Sequence, residues 1–230
     1  TGLISYGEMV DQGRQICEAV SIPIIGDGDT GYGNPVNAKR TVRGYRAAGF
    51  ACVMIEDQLS PKRCGHTRGK EVVSREEACA RIRAAVDARD EGADILVMAR
   101  TDARFGHGFE EALWRCRAFA DLGADIVFFE APQSEDEMGR LCREIPGPKM
   151  ANMVEGGDTP ILPPARLAEL GYAIAAYPLT LLSAAVRAMG EALDALRAGR
   201  IPERLLAFET LRETVGFPEY DAEQARYRAG

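Results

Sequence analysis

Acidic side chains and one arginine follow successive apolar runs of this sequence, at points where parallel strands would end. Asp27 and Asp29 come after the first run, and Glu56 comes after the second. Carboxylate oxygens are the ligands that hard divalent cations prefer, so these three residues predict a Mg²⁺ site, with Mn²⁺ as the alternative ion. Residues 26–33 could also form an ordinary Asp/Gly turn. An EF-hand is excluded because the acid at the twelfth position of its loop is absent.

Arg100 and a loop that precedes it offer groups that could bind and protonate a carboxylate-bearing substrate. Arg100 lies at a strand end among acids, where it is either a salt-bridge partner or a bidentate clamp for a substrate carboxylate. The long basic loop 58–70 is typical of an active-site lid. Cys64 in this loop lies near Arg63 and His66, and positive charge favours a thiolate that exchanges a proton with a carbanion. The alternative is an incidental loop cysteine.

Two histidines and five further cysteines complete the reactive side chains. His66 is either a hydrogen-bond donor to substrate or a surface residue, and His107 is expected to be structural or solvent-facing. The cysteines lack the close pairing of zinc ribbons and redox motifs, so we expect free thiols.

The composition favours one soluble, cytoplasmic domain. A chain of 230 residues fits a single large α/β domain, and a net charge of −7 with a pI near 5.1 argues against a nucleic-acid surface. The sequence has no apolar run long enough to suggest a membrane span and no basic-then-apolar leader. We therefore expect neither a nucleic acid nor a membrane as a partner, but a small carboxylate.

Short β-rich apolar runs alternate with amphipathic stretches, which predicts βα units and a parallel sheet. In a βα barrel the active site is assembled at the carboxyl ends of the strands, where the residues above fall. The predicted strands are 22–26, 51–55, 94–99, 125–129, 148–151 and 172–176. The predicted helices are one from a Ser5–Glu8 capping box to Val20, then 37–48, 75–90, 109–122, 134–144, 180–198 and 202–213, before a partly ordered tail over 215–228.

Six segments follow one another at the predicted strand ends and in the basic loop: DGDTGYG (27–33), EDQ (56–58), PKRCGH (61–66), ARTDA (99–103), FEA (129–131) and ANM (151–153). In order and spacing, over nearly the whole chain, they resemble the isocitrate lyase and phosphoenolpyruvate mutase superfamily. The KRCGH element is specific to the lyase branch of that family. The resemblance implies an α/β fold of the TIM-type (β/α)₈ barrel kind, a Mg²⁺-dependent site and a homo-oligomer, expected to be a tetramer.

The same resemblance implies a role for each matching position. Asp27 would bind Mg²⁺ directly, with Asp29 and Glu56 binding it directly or through water, and Cys64 would protonate the departing carbanion. The expected catalytic set is Cys64, His66, Arg100 and Glu130, and the expected substrate contacts are Gly65, His66, Arg100, Glu130 and Asn152.

The family fold begins with a β-α-β segment that ends in Tyr-x-Ser-Gly. No such segment precedes Thr1, so we expect it to be missing from this chain, together with the base that would remove the substrate's hydroxyl proton. Residues 1–178 would then form a barrel portion of six βα units. Residues 179–230 would form C-terminal helices that pack against the barrel or a neighbouring subunit.

The activity that the resemblance implies is Mg²⁺-dependent carbon–carbon cleavage of a 2-hydroxy diacid to an α-keto acid, such as pyruvate, and a carboxylate. The substrate would be an alkyl-substituted malate or of the 2-methylisocitrate type. Members that cleave a tricarboxylate carry an arginine where this chain has Ser183, beside Leu181 and Leu182, which favours the smaller malate. The alternatives are a phosphonomutase of the carboxyvinyl-carboxyphosphonate type, an oxaloacetate decarboxylase, and an inactive barrel fragment that acts as a binding module.

Overall fold

The computed structural model describes residues 2–63 and 69–228, and this part of the chain contains one parallel sheet flanked by helices. The strands are hydrogen-bonded in sequence order. They are β1 (Ile25–Asp27), β2 (Cys52–Glu56), β3 (Leu96–Thr101), β4 (Ile126–Phe129), β5 (Lys149–Asn152) and β6 (Ile174–Ala176). The helices are α1 (Tyr6–Ala19), α2 (Pro35–Ala48), α3 (Arg75–Asp90), α4 (Ala103–His107), α5 (Phe109–Asp121), α6 (Glu135–Glu144), α7 (Pro164–Leu170), α8 (Thr180–Arg197), α9 (Phe208–Thr214) and α10 (Phe217–Arg226).

The chain divides into two compact units, Thr1–Leu179 and Thr180–Gly230, and the first contains the whole sheet. Within the described residues, no helix combines the length and the apolar character needed to cross a membrane.

Side-chain caps determine where several helices begin. The Ser5 hydroxyl accepts from the Glu8 backbone N–H while the Glu8 carboxylate accepts from the Ser5 N–H, so the predicted capping box is confirmed. Asn34 forms the corresponding box with Asn37 at the start of α2. Each cap satisfies N–H groups that the first helical turn leaves without partners.

Alternation along each strand separates a convex face, which packs under the helices, from a concave face. Val53 and Ile55 of β2 face the helices, with Tyr45 and Phe50 in the same apolar cluster. The concave face carries a separate cluster of buried side chains: Cys52, Met54, Met98, Ile126, Phe128 and Met150. Because residues two apart share a face, the concave face continues at the carboxyl ends of the strands into polar side chains.

The parallel register determines which of those polar side chains are neighbours. Glu56 pairs with Arg100 across β2 and β3, and Asp27 pairs with Met54 across β1 and β2. Asn152 of β5 pairs with Ala176 of β6. Glu56 and Arg100 therefore lie side by side at one edge of the sheet.

All six predicted strands are present, although each begins one to three residues later than the sequence pattern indicated. The helix predicted over 75–90 is confirmed, and those over 37–48, 109–122 and 134–144 are displaced by one or two residues at an end. The short helices α4 and α7 were not predicted. Each has seven residues or fewer, too few for helical periodicity to show.

Two expectations for the second unit were wrong. A helix predicted over 202–213 begins only at Phe208, because residues 201–207 form no regular secondary structure. The segment 215–228, expected to be a partly ordered tail, contains α10, which begins after Gly216 with proline at its second position. Proline fits the first helical turn because it has the required φ and its missing N–H would be unpaired there.

Asp57, just beyond β2, connects the carboxyl ends of two strands to a helix. Its carboxylate accepts from Thr101 Oγ1 at 2.6 Å, from the Asp102 backbone N–H at 2.9 Å and from Arg115 Nη1 of α5 at 3.0 Å. Arg115 also donates to the Val73 carbonyl at 2.9 Å. The Asp57 and Arg115 side chains are 1% and 4% exposed, so water cannot replace these contacts. This ion pair fixes the position of the strand ends.

Replacing Asp57 with Asn should destabilise the protein by up to about 3–5 kcal/mol, because the buried Arg115 guanidinium then keeps only the Glu111 carboxylate, 2.9 Å from Nε, as a charged partner. The control is Asp94→Asn, which breaks the ion pair with Arg46 at a side chain that is 94% exposed. Loss of that pair should change stability by less than about 1 kcal/mol. Urea unfolding measures both, and equal effects would contradict a structural role for the buried pair.

Candidate active site

Three carboxylates at the ends of β1 and β2 converge on one ammonium group. Lys62 Nζ lies 3.1 Å from Asp27 Oδ2 and 3.7 Å from Glu56 Oε2, and it also forms an ion pair with Asp29 Oδ1. These are the three residues that the sequence predicted as metal ligands. The structure therefore places them around a common point that holds a positive charge.

The backbone of residues 27–29 is arranged to bring its two aspartates to this point. The Asp29 N–H donates to Asp27 Oδ1 at 2.9 Å, and the Asp29 carbonyl accepts from the Glu56 N–H at 2.9 Å. Asp29 has a φ of 53°, a left-handed conformation that aspartate tolerates better than most residues. Gly28 donates to the Met54 carbonyl at 2.8 Å, which holds the turn close against β2.

Gly28→Ala should disrupt this turn, because a Cβ there would lie 2.7 Å from the Met54 carbonyl oxygen and 2.8 Å from Ile55 Cδ1. Overpacking of this kind costs about 1–3 kcal/mol. Gly7→Ala is the matched control, since no atom lies within 4 Å of its Cβ position in α1. Alanine is the better helix former, so the control should gain up to about 1 kcal/mol. Urea midpoints that move in the same direction would contradict the prediction.

Glu56 is a deeply buried carboxyl of this cluster. Its side chain is 1% exposed, and neither carboxylate oxygen has a hydrogen-bond partner in the described structure. Burial raises the pKa of Glu56 to about 8 despite the opposing effect of Arg100, and the nearby acids Asp102, Asp27 and Asp57 raise it further. A buried carboxylate whose oxygens lack donors has the environment that a bound cation would satisfy.

The residues of this cluster fit a divalent cation. In the ranges 2–63 and 69–228, no three His, Cys, Asp or Glu side chains already have the arrangement of a metal site. The carboxylates of Asp27, Asp29 and Glu56 instead surround Lys62. The ammonium is a stand-in cation, and the two Glu56 oxygens without hydrogen bonds would receive further stabilisation from a metal. All the donors are hard oxygens, the chemistry that Mg²⁺ and Mn²⁺ require.

Glu56→Gln should change how stability depends on pH in metal-free buffer. The pKa of Glu56 is raised on folding, so its contribution to stability is fully present below about 4.5 and is lost as the pH rises towards 8. The glutamine variant lacks this loss. Its stability relative to the unmodified protein should therefore increase between pH 5 and pH 8, by at most about 1.4 kcal/mol per pH unit. Parallel stability curves from urea unfolding with EDTA present would refute the shift.

Arg100, Glu130 and Asn152 form a second group beside the first. Arg100 Nη2 lies 3.4 Å from Glu130 Oε2, and Asn152 Nδ2 donates to the two Glu130 oxygens at 3.4 and 3.2 Å. Arg100 Nε lies 3.5 Å from Glu56 Oε2, so the guanidinium connects the two groups. Burial opposes the charge of Arg100, but Asp102, Glu130 and Glu56 outweigh it and raise its pKa well above the usual value. Arg100 is thus permanently cationic.

Of the two interpretations of Arg100, the structure shows the salt-bridge partner. Its Nε and Nη2 donate to the two carboxylate oxygens of Asp102 at 2.8 and 3.0 Å, which is a bidentate pair within the protein. The Arg100 Cζ also lies 5.0 Å from the centre of the Phe128 ring. Binding of a substrate carboxylate by the remaining N–H groups of Arg100 stays a prediction.

Three predicted site residues, Cys64, Gly65 and His66, lie outside the described residues. Lys62 and Arg63, just before them, are described: Lys62 lies in the acid cluster, and the Arg63 backbone N–H donates to Gln58 Oε1 at 3.0 Å. His107 is exposed at the end of α4, as expected. The cysteines that the structure describes are free thiols, as predicted: Cys17, Cys52, Cys79, Cys116 and Cys142.

Sequence reasoning did not identify Lys62, Lys70 or Asp102 as site residues. Lys62 lies in the predicted basic loop 58–70 and Asp102 in the ARTDA segment, but the sequence assigned neither a role. The alternation Met98, Arg100, Asp102 was an available signal, since residues two apart in a strand share a face. No local signal marks Lys70, whose buried ammonium lies 3.6 Å from Asp102 Oδ1.

Comparison with known proteins gives a consistent result. The family model for phosphoenolpyruvate phosphomutase matches residues 1–197. The 2,3-dimethylmalate lyase of Eubacterium barkeri is 43% identical over 233 residues, covering 100% of this chain and 80% of that protein. The chloroplastic carboxyvinyl-carboxyphosphonate phosphorylmutase of Arabidopsis thaliana is 38% identical over 234 residues, covering 98% of this chain and 69% of that protein.

Solved structures similar to this chain include members of the same family. A crystal structure of 2,3-dimethylmalate lyase, described as a member of the PEP mutase/isocitrate lyase superfamily, matches with a TM-score of 0.91 and 38% identity, covering 98% of this chain and 76% of that one. Phosphonopyruvate hydrolase in complex with oxalate and Mg²⁺ matches with a TM-score of 0.83 and 33% identity, covering 98% and 80%.

A wall of parallel βα units with buried charged residues at its carboxyl edge is the architecture of a TIM-barrel enzyme. The chain belongs to the phosphoenolpyruvate mutase/isocitrate lyase superfamily. The predicted superfamily and fold class are confirmed, and so is the prediction of an enzyme of the lyase type.

Proposed function

We propose that this protein is a Mg²⁺-dependent lyase that cleaves a carbon–carbon bond of a 2-hydroxy diacid, giving an α-keto acid such as pyruvate and a carboxylate. The observation that carries the proposal is the convergence of Asp27, Asp29 and Glu56 on one cation, with Arg100 at 3.5 Å from Glu56. The cluster of acids suits a metal ion, and the neighbouring Arg100 suits a substrate carboxylate. A 2-hydroxy diacid contains both complementary groups.

Asp27, Asp29 and Glu56 would hold the metal, Mg²⁺ or Mn²⁺. When bound, it would supply a Lewis acid that stabilises negative charge on the substrate's hydroxyl oxygen and adjacent carboxylate. Glu56 must be ionised for this role, and its raised pKa means that metal binding should release a proton near neutral pH.

Arg100, Glu130 and Asn152 would bind and orient the substrate. The N–H groups of Arg100 that Asp102 does not use could donate to a substrate carboxylate. Asn152 Nδ2 and the Glu130 carboxylate lie on the side of Arg100 away from the acid cluster and offer one donor and one acceptor. Fixed groups of this kind keep the bond to be broken aligned with the centre that receives its electrons.

Bond cleavage would begin when a general base takes the hydroxyl proton and the C–O bond becomes a carbonyl. The adjacent carbon–carbon bond breaks, and its electron pair moves to the carbon beside the second carboxylate. We assign the proton that this carbon then takes up to the thiol of Cys64, with Gly65 and His66 beside it at the substrate carboxylate. The support is the KRCGH motif and the position of Lys62, which joins the start of that loop to the acid cluster.

The substrate that we favour is an alkyl-substituted malate. Ser183 replaces the arginine that a third carboxylate would require, and Leu181 and Leu182 are its apolar neighbours in α8. The 43% identity to a 2,3-dimethylmalate lyase supports the same choice.

A phosphonomutase remains the second candidate, because a carboxyvinyl-carboxyphosphonate phosphorylmutase is 38% identical to this chain. A metal held by carboxylates next to an arginine can also bind a phosphonate. Oxaloacetate decarboxylation would use the same site, and a barrel without activity that serves as a binding module is the non-enzymatic alternative.

We further propose a cytoplasmic homotetramer in which 1–178 form the barrel portion and 179–230 form helices that pack on the barrel or a neighbouring subunit. The support is the apolar surface of the second unit, where Leu181 is 82% exposed and Leu193 is 67% exposed. Apolar surface of this extent is typical of an interaction face.

Incubation with Mg²⁺ and 2,3-dimethylmalate should release pyruvate and propionate, and EDTA should abolish the release until Mg²⁺ or Mn²⁺ is restored. Cys64→Ser should lower kcat by about 10²–10⁴, the usual contribution of a general acid. Cys79→Ser in α3 is the control and should retain the rate. Product is measured with a keto-acid-specific dehydrogenase assay.

The same assay separates the alternatives when 2-methylmalate, 2-methylisocitrate and oxaloacetate are tested in parallel. Turnover of oxaloacetate alone would indicate the decarboxylase. Rearrangement of a phosphonate, followed by ³¹P NMR, would indicate the phosphonomutase. No product from any of these acids, or full activity in Cys64→Ser, would reject the proposed lyase.

A further inference from the structure

Asp102, one residue beyond β3, has no assigned role, yet it forms a bidentate pair with Arg100. Its side chain is fully buried, and both of its oxygens accept from Arg100, at 2.8 Å from Nε and 3.0 Å from Nη2. Lys70 Nζ lies 3.6 Å from Asp102 Oδ1. The Asp102 backbone N–H donates to Asp57 Oδ1 at 2.9 Å, so the backbone that carries this carboxylate is itself fixed.

These contacts determine the orientation of the guanidinium. Two parallel hydrogen bonds to one edge fix the plane of the planar group, and the Phe128 ring lies 5.0 Å from its Cζ atom. The N–H groups that Asp102 leaves are those on Nη1 and the second one on Nη2. Nη2 is also the atom that lies 3.4 Å from Glu130 Oε2, so this part of the guanidinium is directed towards the Glu130–Asn152 pair.

Lys70 links Asp102 to the loop that carries the cysteine motif. Lys70 is the last residue of the basic loop 58–70, and its side chain is 2% exposed. The ammonium also lies 5.0 Å from the centre of the Phe105 ring in α4. The Asp102 carboxylate therefore faces two buried positive charges, those of Lys70 and Arg100.

We infer that Asp102 is the positioning residue for Arg100: it fixes the guanidinium so that the remaining N–H groups bind a substrate carboxylate, while Lys70 balances its charge. This inference rests on the proposed function, because it assumes that Arg100 binds a carboxylate. Asp102 itself does not contact substrate. Without it the guanidinium would turn towards Glu56 and Glu130, and the edge that meets the carboxylate would be lost.

Asp102→Asn tests this role because the amide keeps the shape but places a donor opposite an Arg100 N–H. The probe is oxalate with saturating Mg²⁺, with affinity measured by isothermal titration calorimetry on the full chain. We expect Asp102→Asn to weaken oxalate binding by about 10- to 100-fold, the usual effect of removing a group that orients a ligand-binding side chain. Arg100→Lys should weaken it at least as much.

A second variant separates orientation from stability. Asp102→Asn alone leaves Lys70 with less negative charge nearby, so Asp102→Asn/Lys70→Met should recover thermal stability without recovering oxalate affinity. Glu137→Gln is the matched control. Glu137 forms a similar bidentate pair with Arg104 Nε and Nη2 at 3.1 and 2.8 Å, and its loss should leave oxalate affinity unchanged.

Retained oxalate affinity in Asp102→Asn would overturn the inference, and so would recovery of affinity together with stability in the double variant. Failure of the unmodified protein to bind oxalate, or unchanged binding in Arg100→Lys, would also overturn it, because Arg100 would then hold no carboxylate. A different result would reject the proposed lyase activity but not this inference. In that case oxalate binds in an Asp102-dependent manner, but no 2-hydroxy diacid is cleaved.

Discussion

Arg100 holds a positive charge where burial alone would strongly oppose it, and three carboxylates stabilise it there. Asp102 binds one edge of the guanidinium, while Glu56 and Glu130 lie 3.5 and 3.4 Å from its nitrogens. Each of these acids would in turn be costly to bury without the arginine. The acids and the arginine therefore depend on one another, and the register of β2, β3 and β4 brings them together.

The buried charges form a continuous network across the carboxyl ends of the strands. Arg115 of α5 holds Asp57, and the Asp57 carboxylate holds the backbone of Asp102. Arg81 of α3 donates to the Glu56 carbonyl at 2.8 Å and the Gln58 carbonyl at 3.1 Å. Arginine side chains of two helices on the convex face thus form hydrogen bonds with residues at the strand ends. Such a network keeps the side chains of a site in one geometry, although the desolvation of its charges makes it a modest source of stability.

The acid cluster differs from this network because its charges are not fully satisfied within the protein. The Asp57 carboxylate accepts three hydrogen bonds, whereas neither Glu56 oxygen has a hydrogen-bond partner in the described structure. Two adjacent carboxylates at the end of β2 therefore differ in whether the protein supplies their hydrogen-bond donors. Asp57 is a structural anchor on the convex side, and Glu56 is available to a ligand on the concave side, because successive side chains of a strand point to opposite faces.

The sequence by itself determined the parallel βα order, all six strands, the capping box of α1, the superfamily and the residues at the strand ends, because these follow from local periodicity, caps and motifs. It could not show that Asp57 anchors two strand ends to Arg115, that Lys62 lies among the three predicted metal ligands, or that Asp102 holds Arg100. Those facts depend on strand register and on contacts between residues such as Lys70 and Asp102 that are distant in sequence. Only the tertiary structure decides them, since a buried charge takes its properties from whichever partners the fold places beside it.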